Sequence, residues 1–131
     1  MRGAAAGAGA LALLLAACFS EAPDSTAPGD PDAVVIEMTA ELTFSPAHVE
    51  VRAGQTVRWV NTSPFVHTAT GDPARALLPA SVSLPAGAEP WDSGDVAPGA
   101  SWERVFTTPG EYGYFCVPHE GAMSGTLRVL P

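Results

Sequence analysis

YGYFCVPHEGAMSG, residues 112–125, sets one cysteine, one histidine and one methionine within eight residues near the end of the chain. Ahead of them Tyr112, Tyr114 and Cys116 recur at every second position, the period of a strand with one buried face. Beyond Cys116 the alternation stops, and it resumes with Leu127 and Val129 in GTLRV. Three chemistries fit such a stretch: a nucleophile with its base, a metal site, or an ordinary strand running into a loop. The rest of the chain decides among them.

Working outward, the same period two recurs in short runs. Val34, Ile36 and Met38 share one face, as do Ala47, Val49 and Val51, then Val57 and Trp59 in TVRWVN, then Trp102 and Phe106 in SWERVF. The turn pairs Ala53-Gly54, Pro98-Gly99 and Pro109-Gly110 separate them. Short alternating runs between turn signals predict an all-β domain of antiparallel strands over residues 34–131, the size of a β-sandwich. No long helical period and no internal repeat interrupts the pattern. The stretch from Gly71 to Asp95 holds four prolines and little alternation, apart from an ARALLPA piece that could form a helical turn. It reads as a surface connection.

The front of the chain has a different composition. Met1 and Arg2 precede an Ala/Gly/Leu run to Ala17, too short and small-sided for a membrane span, which reads as an export signal over residues 1–17. It ends in LAAC, Leu15 to Cys18, which resembles the lipobox of bacterial lipoproteins, where the cysteine is lipidated. The alternative is a plain signal peptide cut elsewhere. Residues 18–33, rich in Pro, Asp, Ser and Ala, form the expected flexible tether. The expected location is therefore the periplasm or the extracytoplasmic face of a membrane, held by a lipid at Cys18.

With Cys18 assigned to the lipid, Cys116 has no partner for a disulfide, so an exported thiol needs another purpose. The formal charge of −8 becomes −9 once Arg2 leaves with the signal. Such a surface disfavours nucleic acid and anionic lipid.

A nucleophilic cysteine takes its base from a distant segment and needs a third, orienting group, and the surroundings of Cys116 match no such signature. Haem attachment requires two cysteines before the histidine. A structural zinc site wants four Cys or His ligands and leaves the methionine without a role. Copper cycling between Cu(I) and Cu(II) is served by two imidazoles, a thiolate and a weak axial thioether. Cys116, His119 and Met123 supply three of the four. His48 alternates with Ala47 and Val49 and faces solvent with Glu50 and Arg52, which leaves His67, just after TVRWVN, as the second imidazole. Met1 lies in the signal and Met38 on an apolar strand face, which leaves Met123 as the thioether.

These residues sit in motifs that resemble the cupredoxins, the blue-copper family of plastocyanin, amicyanin, pseudoazurin and halocyanin. The resemblance runs from FSP…VEVRAGQTVRWVN and the N-x5-H spacing of Asn61 and His67, through DSGDVAPGASWERVF, to TPGEYGYFCVPHEGAMSGTLRV. It implies a Greek-key β-sandwich and one copper ion held by His67, Cys116, His119 and Met123. It also implies a non-enzymatic role, the passage of single electrons to redox proteins of cytochrome or copper-oxidase type. Electrons would pass through His119 and an apolar patch drawn from Pro118, Gly121 and Ala122, with Pro64 and Phe65. The rival reading is copper storage or delivery to a cuproenzyme. Two departures stand out. The loop is Cys-x2-His-x3-Met, between the x4 of the plastocyanin type and the x2 of the amicyanin type. Thr68 stands where many relatives carry an asparagine that braces the ligand loop.

Overall fold

The computed structural model describes residues 29–131 of the chain. The signal, Cys18 and residues 19–28 of the expected tether lie outside the described residues. Residues 29–33 lie against the domain, where the Asp30 carbonyl accepts a hydrogen bond of 2.8 Å from the Arg58 guanidinium.

Among the described residues, nine strands form two sheets. β1 (Val34–Met38), β2 (Phe44–Ser45), β4 (Thr56–Asn61) and β7 (Ser101–Val105) make the first, in the order β2-β1-β4-β7. β3 (His48–Arg52), β5 (Thr70–Gly71), β6 (Trp91–Asp92), β8 (Gly110–Phe115) and β9 (Ser124–Leu130) make the second, in the order β3-β9-β8-β5-β6. The alternation in the sequence drives this arrangement. Every second residue of β4 is buried, as in β9, so each strand offers one apolar face to the layer between the sheets.

Two ladders depart from the expected antiparallel pairing. β1 runs parallel to β4, with Ile36 opposite Trp59, and β3 runs parallel to β9, with Val51 opposite Val129. Period two fixes which face is buried and carries no information about a neighbour's direction. Between β1 and β4 the chain crosses to the other sheet as β3, then returns, and the return sets the parallel direction. Two of the three expected turns form where the sequence places them, Gly54 and Gly99 both adopting the left-handed backbone that a side chain would disfavour, whereas Gly110 already opens β8.

Trp59 sits at the centre of the core. Tyr114 meets it edge-on at 5.5 Å and Phe106 at 6.2 Å between ring centroids, offset geometries that aromatic rings favour. The connection after β5 contributes more than a surface loop would. Two one-turn 3-10 segments, Pro73–Arg75 and Pro79–Ser81, lie within it. It then delivers Trp91 into the core, edge-on to Phe106 at 5.1 Å. Its middle runs beside β8 on the edge away from β9, where Ser83 and Gly113 form an antiparallel bridge with backbone hydrogen bonds of 3.1 and 2.8 Å. Phe115, which by alternation faces away from Tyr114, is fully buried all the same.

Candidate metal centre

At the end of β8 the chain delivers Cys116 to the core side, then turns through a one-turn 3-10 segment, Val117–His119, begun by Pro118. The loop closes on itself: the Cys116 N–H donates to the Met123 carbonyl at 3.1 Å, and the Ala122 and Met123 N–H groups donate to the His119 carbonyl at 3.0 Å. His67 arrives from the β4–β5 connection, tied to Val96 by backbone hydrogen bonds in both directions, 3.2 and 2.8 Å. The Asn61–His67 spacing has a structural reason. The Asn61 amide donates to the carbonyls of Phe65, at 2.6 Å, and Val96, at 2.9 Å, while its oxygen accepts from the Ser63 N–H and hydroxyl. A single buried side chain thus folds the loop that aims His67.

The result is a compact donor cluster. Cys116 Sγ lies 3.6 Å from His67 Nδ1 and 3.3 Å from His119 Nδ1, and all three donor atoms fall within 4.8 Å of one another. His67, Cys116 and Met123 are fully buried, whereas His119 is partly exposed. The other His67 nitrogen, Nε2, is 3.2 Å from the Thr39 carbonyl. A carbonyl can only accept, so Nε2 carries the proton and the Nδ1 lone pair faces the sulfur.

Burial lowers the pKa of His67, helped by the charge His119 can carry and opposed by the Thr39 carbonyl. Burial likewise pushes the Cys116 thiol up, against the Thr68 N–H that points at its sulfur from 3.3 Å. Both shifts favour the neutral imidazole and the protonated thiol. A bound cation would take the lone pair of the first and displace the proton of the second.

Thr68 braces the cluster, as a side chain of shorter reach than asparagine can through a relay. The Val117 N–H donates to Thr68 Oγ1 at 2.9 Å, and Thr68 and Thr70 share a hydroxyl hydrogen bond of 2.8 Å. Thr70 then donates to Asp92 Oδ1 at 3.0 Å, and Asp92 pairs with Arg75. The buried threonines thus connect the ligand loop to β6.

Of the residues singled out in the sequence, the structure brings His67, Cys116 and His119 together by their donor atoms. It places Met123 buried at the close of the same loop, one residue before β9. His48 is exposed on β3 and hydrogen-bonded to Thr126, apart from the cluster. Thr39, Thr70 and Asp92 carried no signal in the sequence, because they act through a carbonyl or through partners distant in the chain.

The family described as copper binding proteins, plastocyanin/azurin family, matches residues 32–130. Plastocyanin from Scenedesmus fuscus is 43% identical over 91 residues, covering 67% of this chain and 87% of that protein. An amicyanin variant in its Cu(I) form superposes with a TM-score of 0.62 at 23% identity, over 81% of this chain and 89% of its own, a likeness of fold. A copper-containing nitrite reductase from Thermus scotoductus SA-01 also superposes, with a TM-score of 0.62 at 27% identity, over 99% of this chain but 25% of its own. Since the family match runs unbroken through the His67 loop, β8 and the Cys116–Met123 loop, the chain belongs to the plastocyanin/azurin family of copper-binding proteins, and its cofactor is copper.

Proposed function

We propose that the protein is a single-electron carrier in which His67, Cys116, His119 and Met123 hold one copper ion. The observation that carries this reading is the compact cluster of two imidazole nitrogens and a thiol sulfur, two of the three residues buried, on a loop that ends in a buried methionine. That donor set suits both Cu(I) and Cu(II). The ion supplies the one-electron couple, and the protein supplies its surroundings. Buried His67, Cys116 and Met123 keep water out, and the Asn61, Thr39 and Thr68 hydrogen bonds hold the donors in place through a change of charge.

The partly exposed His119 gives the site its route to the surface. Among the described residues, Val35 and Val105 lie on β1 and β7, whereas the other four of the six exposed large apolar side chains lie on the segments around His119: Phe65 and Val66 on the His67 loop, and Leu77 and Leu78 on the connection after β5. With exposed Pro118, Gly121 and Ala122 they make a surface suited to brief encounters with redox proteins. The test separates a carrier from a protein that delivers copper. Copper-loaded protein should pass repeatedly through reduction and oxidation while retaining its metal against a Cu(I) chelator. Rapid loss of Cu(I) to the chelator would favour delivery.

Met123 is proposed as the axial ligand, which tunes the couple while the other three donors hold the ion. Met123→Leu removes a donor that helps Cu(II) most, so the reduction potential is expected to rise with the visible colour retained. Met123→Gln, offering a harder oxygen, is expected to lower it. Voltammetry of the two variants decides, and loss of copper from Met123→Leu would contradict the assignment.

Cys18 is proposed as a lipid anchor on the extracytoplasmic side of a membrane, with the following residues as leash. Mass spectrometry of the mature N-terminus should find a lipidated Cys18. An unmodified start beyond it would refute the anchor.

A further inference from the structure

Glu120 follows His119 directly, and its carboxylate reaches across to the connection after β5. Oε1 accepts hydrogen bonds from the Leu77 N–H at 3.0 Å, the Leu78 N–H at 2.8 Å and the Ser81 hydroxyl at 2.8 Å, and Oε2 accepts from the Leu77 N–H at 3.1 Å. Leu78 precedes the 3-10 turn Pro79–Ser81 and has no side chain able to cap it. Glu120 instead holds the two backbone N–H groups that lead into the turn, and the Ser81 hydroxyl at its end, as a charged acceptor whose hydrogen bonds are stronger than neutral ones. The Leu78 side chain also approaches the ligand loop, its Cδ1 lying 3.9 Å from where a Cβ on Gly121 would stand.

The segment so gripped is itself fastened to the second sheet on both sides of the grip. Before it, Arg75 pairs with Asp92 of β6 at 3.2 Å; after it, Ser83 bonds to Gly113 of β8. The ligand loop is less supported at its outer corner. Its internal hydrogen bonds join Cys116, His119, Ala122 and Met123 to one another. Among the described residues, the hydrogen bonds from residues 120–122 to the rest of the domain all run through the Glu120 carboxylate.

We propose that Glu120 is a positioning residue for His119: by clasping Leu77, Leu78 and Ser81 it splints the outer corner of the ligand loop to the fixed connection after β5. The idea rests on the assignment of His119 as a copper ligand. It explains how a ligand loop with a three-residue spacer, open to solvent at His119, keeps one geometry as the charge at the site changes. It also gives the 77–81 segment a purpose that its composition conceals.

Amide hydrogen exchange of the metal-free protein, with the visible and electron paramagnetic resonance spectra of the copper-loaded form, tests the clasp. Glu120→Ala is expected to speed exchange at His119, Ala122 and Met123 by about tenfold, the loss of a net hydrogen-bond contribution. The amides of the β8–β9 ladder should stay unchanged as the internal control, and the spectra should shift. Glu120→Gln retains an oxygen acceptor and should restore most of the protection and the wild-type spectra. Should Glu120→Ala fail to fold, Ser81→Ala, which removes one hydrogen bond of the clasp, carries the same comparison with a smaller increment. The proposal is overturned if exchange quickens at Leu77 and Leu78 alone while residues 119–123 and the spectra remain as in the wild type. Failure of the wild type to form a coloured copper complex would instead remove the functional reading, and the exchange data would still decide whether Glu120 holds the loop.

Discussion

Replacing Cys116 with serine is expected to abolish the intense visible absorption of the copper-loaded protein. It should also weaken copper binding by more than the 10–100-fold that loss of an outer hydrogen-bond partner typically costs. Cys116 is the free thiol of the described residues and is fully buried between the two imidazoles. Serine is close in shape, so the fold should survive, with the Thr68 N–H and both histidines still in place. What it lacks is a readily ionised, polarisable sulfur. A hydroxyl in the same buried position stays protonated and neutral, and the charge-transfer band of a thiolate has no counterpart. Absorption spectra and a copper competition assay on the two proteins check this. A band retained in Cys116→Ser would mean that the colour arises elsewhere.

Gly125→Ala should destabilise the metal-free protein by about 1–3 kcal/mol, the usual cost of forcing a methyl group into a filled core. Gly125 stands opposite Tyr114 in the β8–β9 ladder. A Cβ there would lie 2.6 Å from both Cζ and Oη of the Tyr114 ring and 3.0 Å from Cε1. The ring has nowhere to go. It is fully buried, with Phe44 at 4.6 Å and Trp59 at 5.5 Å between centroids. A domain of this size should lose roughly 4–8 °C of melting temperature per kcal/mol. Tyr114 lies two residues before Cys116, and Gly125 two residues after Met123, so the strain falls at both roots of the ligand loop. Thermal unfolding of the metal-free variant gives the number. A melting temperature equal to that of the wild type would show that the ring can yield.

Much of this architecture was legible in the sequence, for reasons that also explain the exceptions. Faces with period two could be read from Ile36 and Met38, Val57 and Trp59, and Tyr112 and Tyr114, because half-buried strands sort residues by side. The parallel direction of β1 on β4 could not, since alternation is the same either way. Cys116, His119 and Met123 stood out because soft and imidazole donors are rare and lie close together, and His67 emerged once His48 was placed on an exposed face. The connection after β5 reads as surface in the sequence because its prolines break any period and Trp91, the core residue at its end, stands between exposed neighbours. Its two grips on the ligand loop were equally hidden. Glu120 meets Leu77, Leu78 and Ser81 about forty residues away in the chain, and Thr68 reaches Asp92 only through Thr70.

Titrating metal-free wild-type protein with Cu(II) under visible spectroscopy tests most directly whether a single copper is held by thiolate and imidazole in a redox-active site. The predicted result is an intense charge-transfer band that grows to saturation at one equivalent, bleaches on reduction and returns on reoxidation. A colourless complex, or a band that does not respond to reductant, would contradict it.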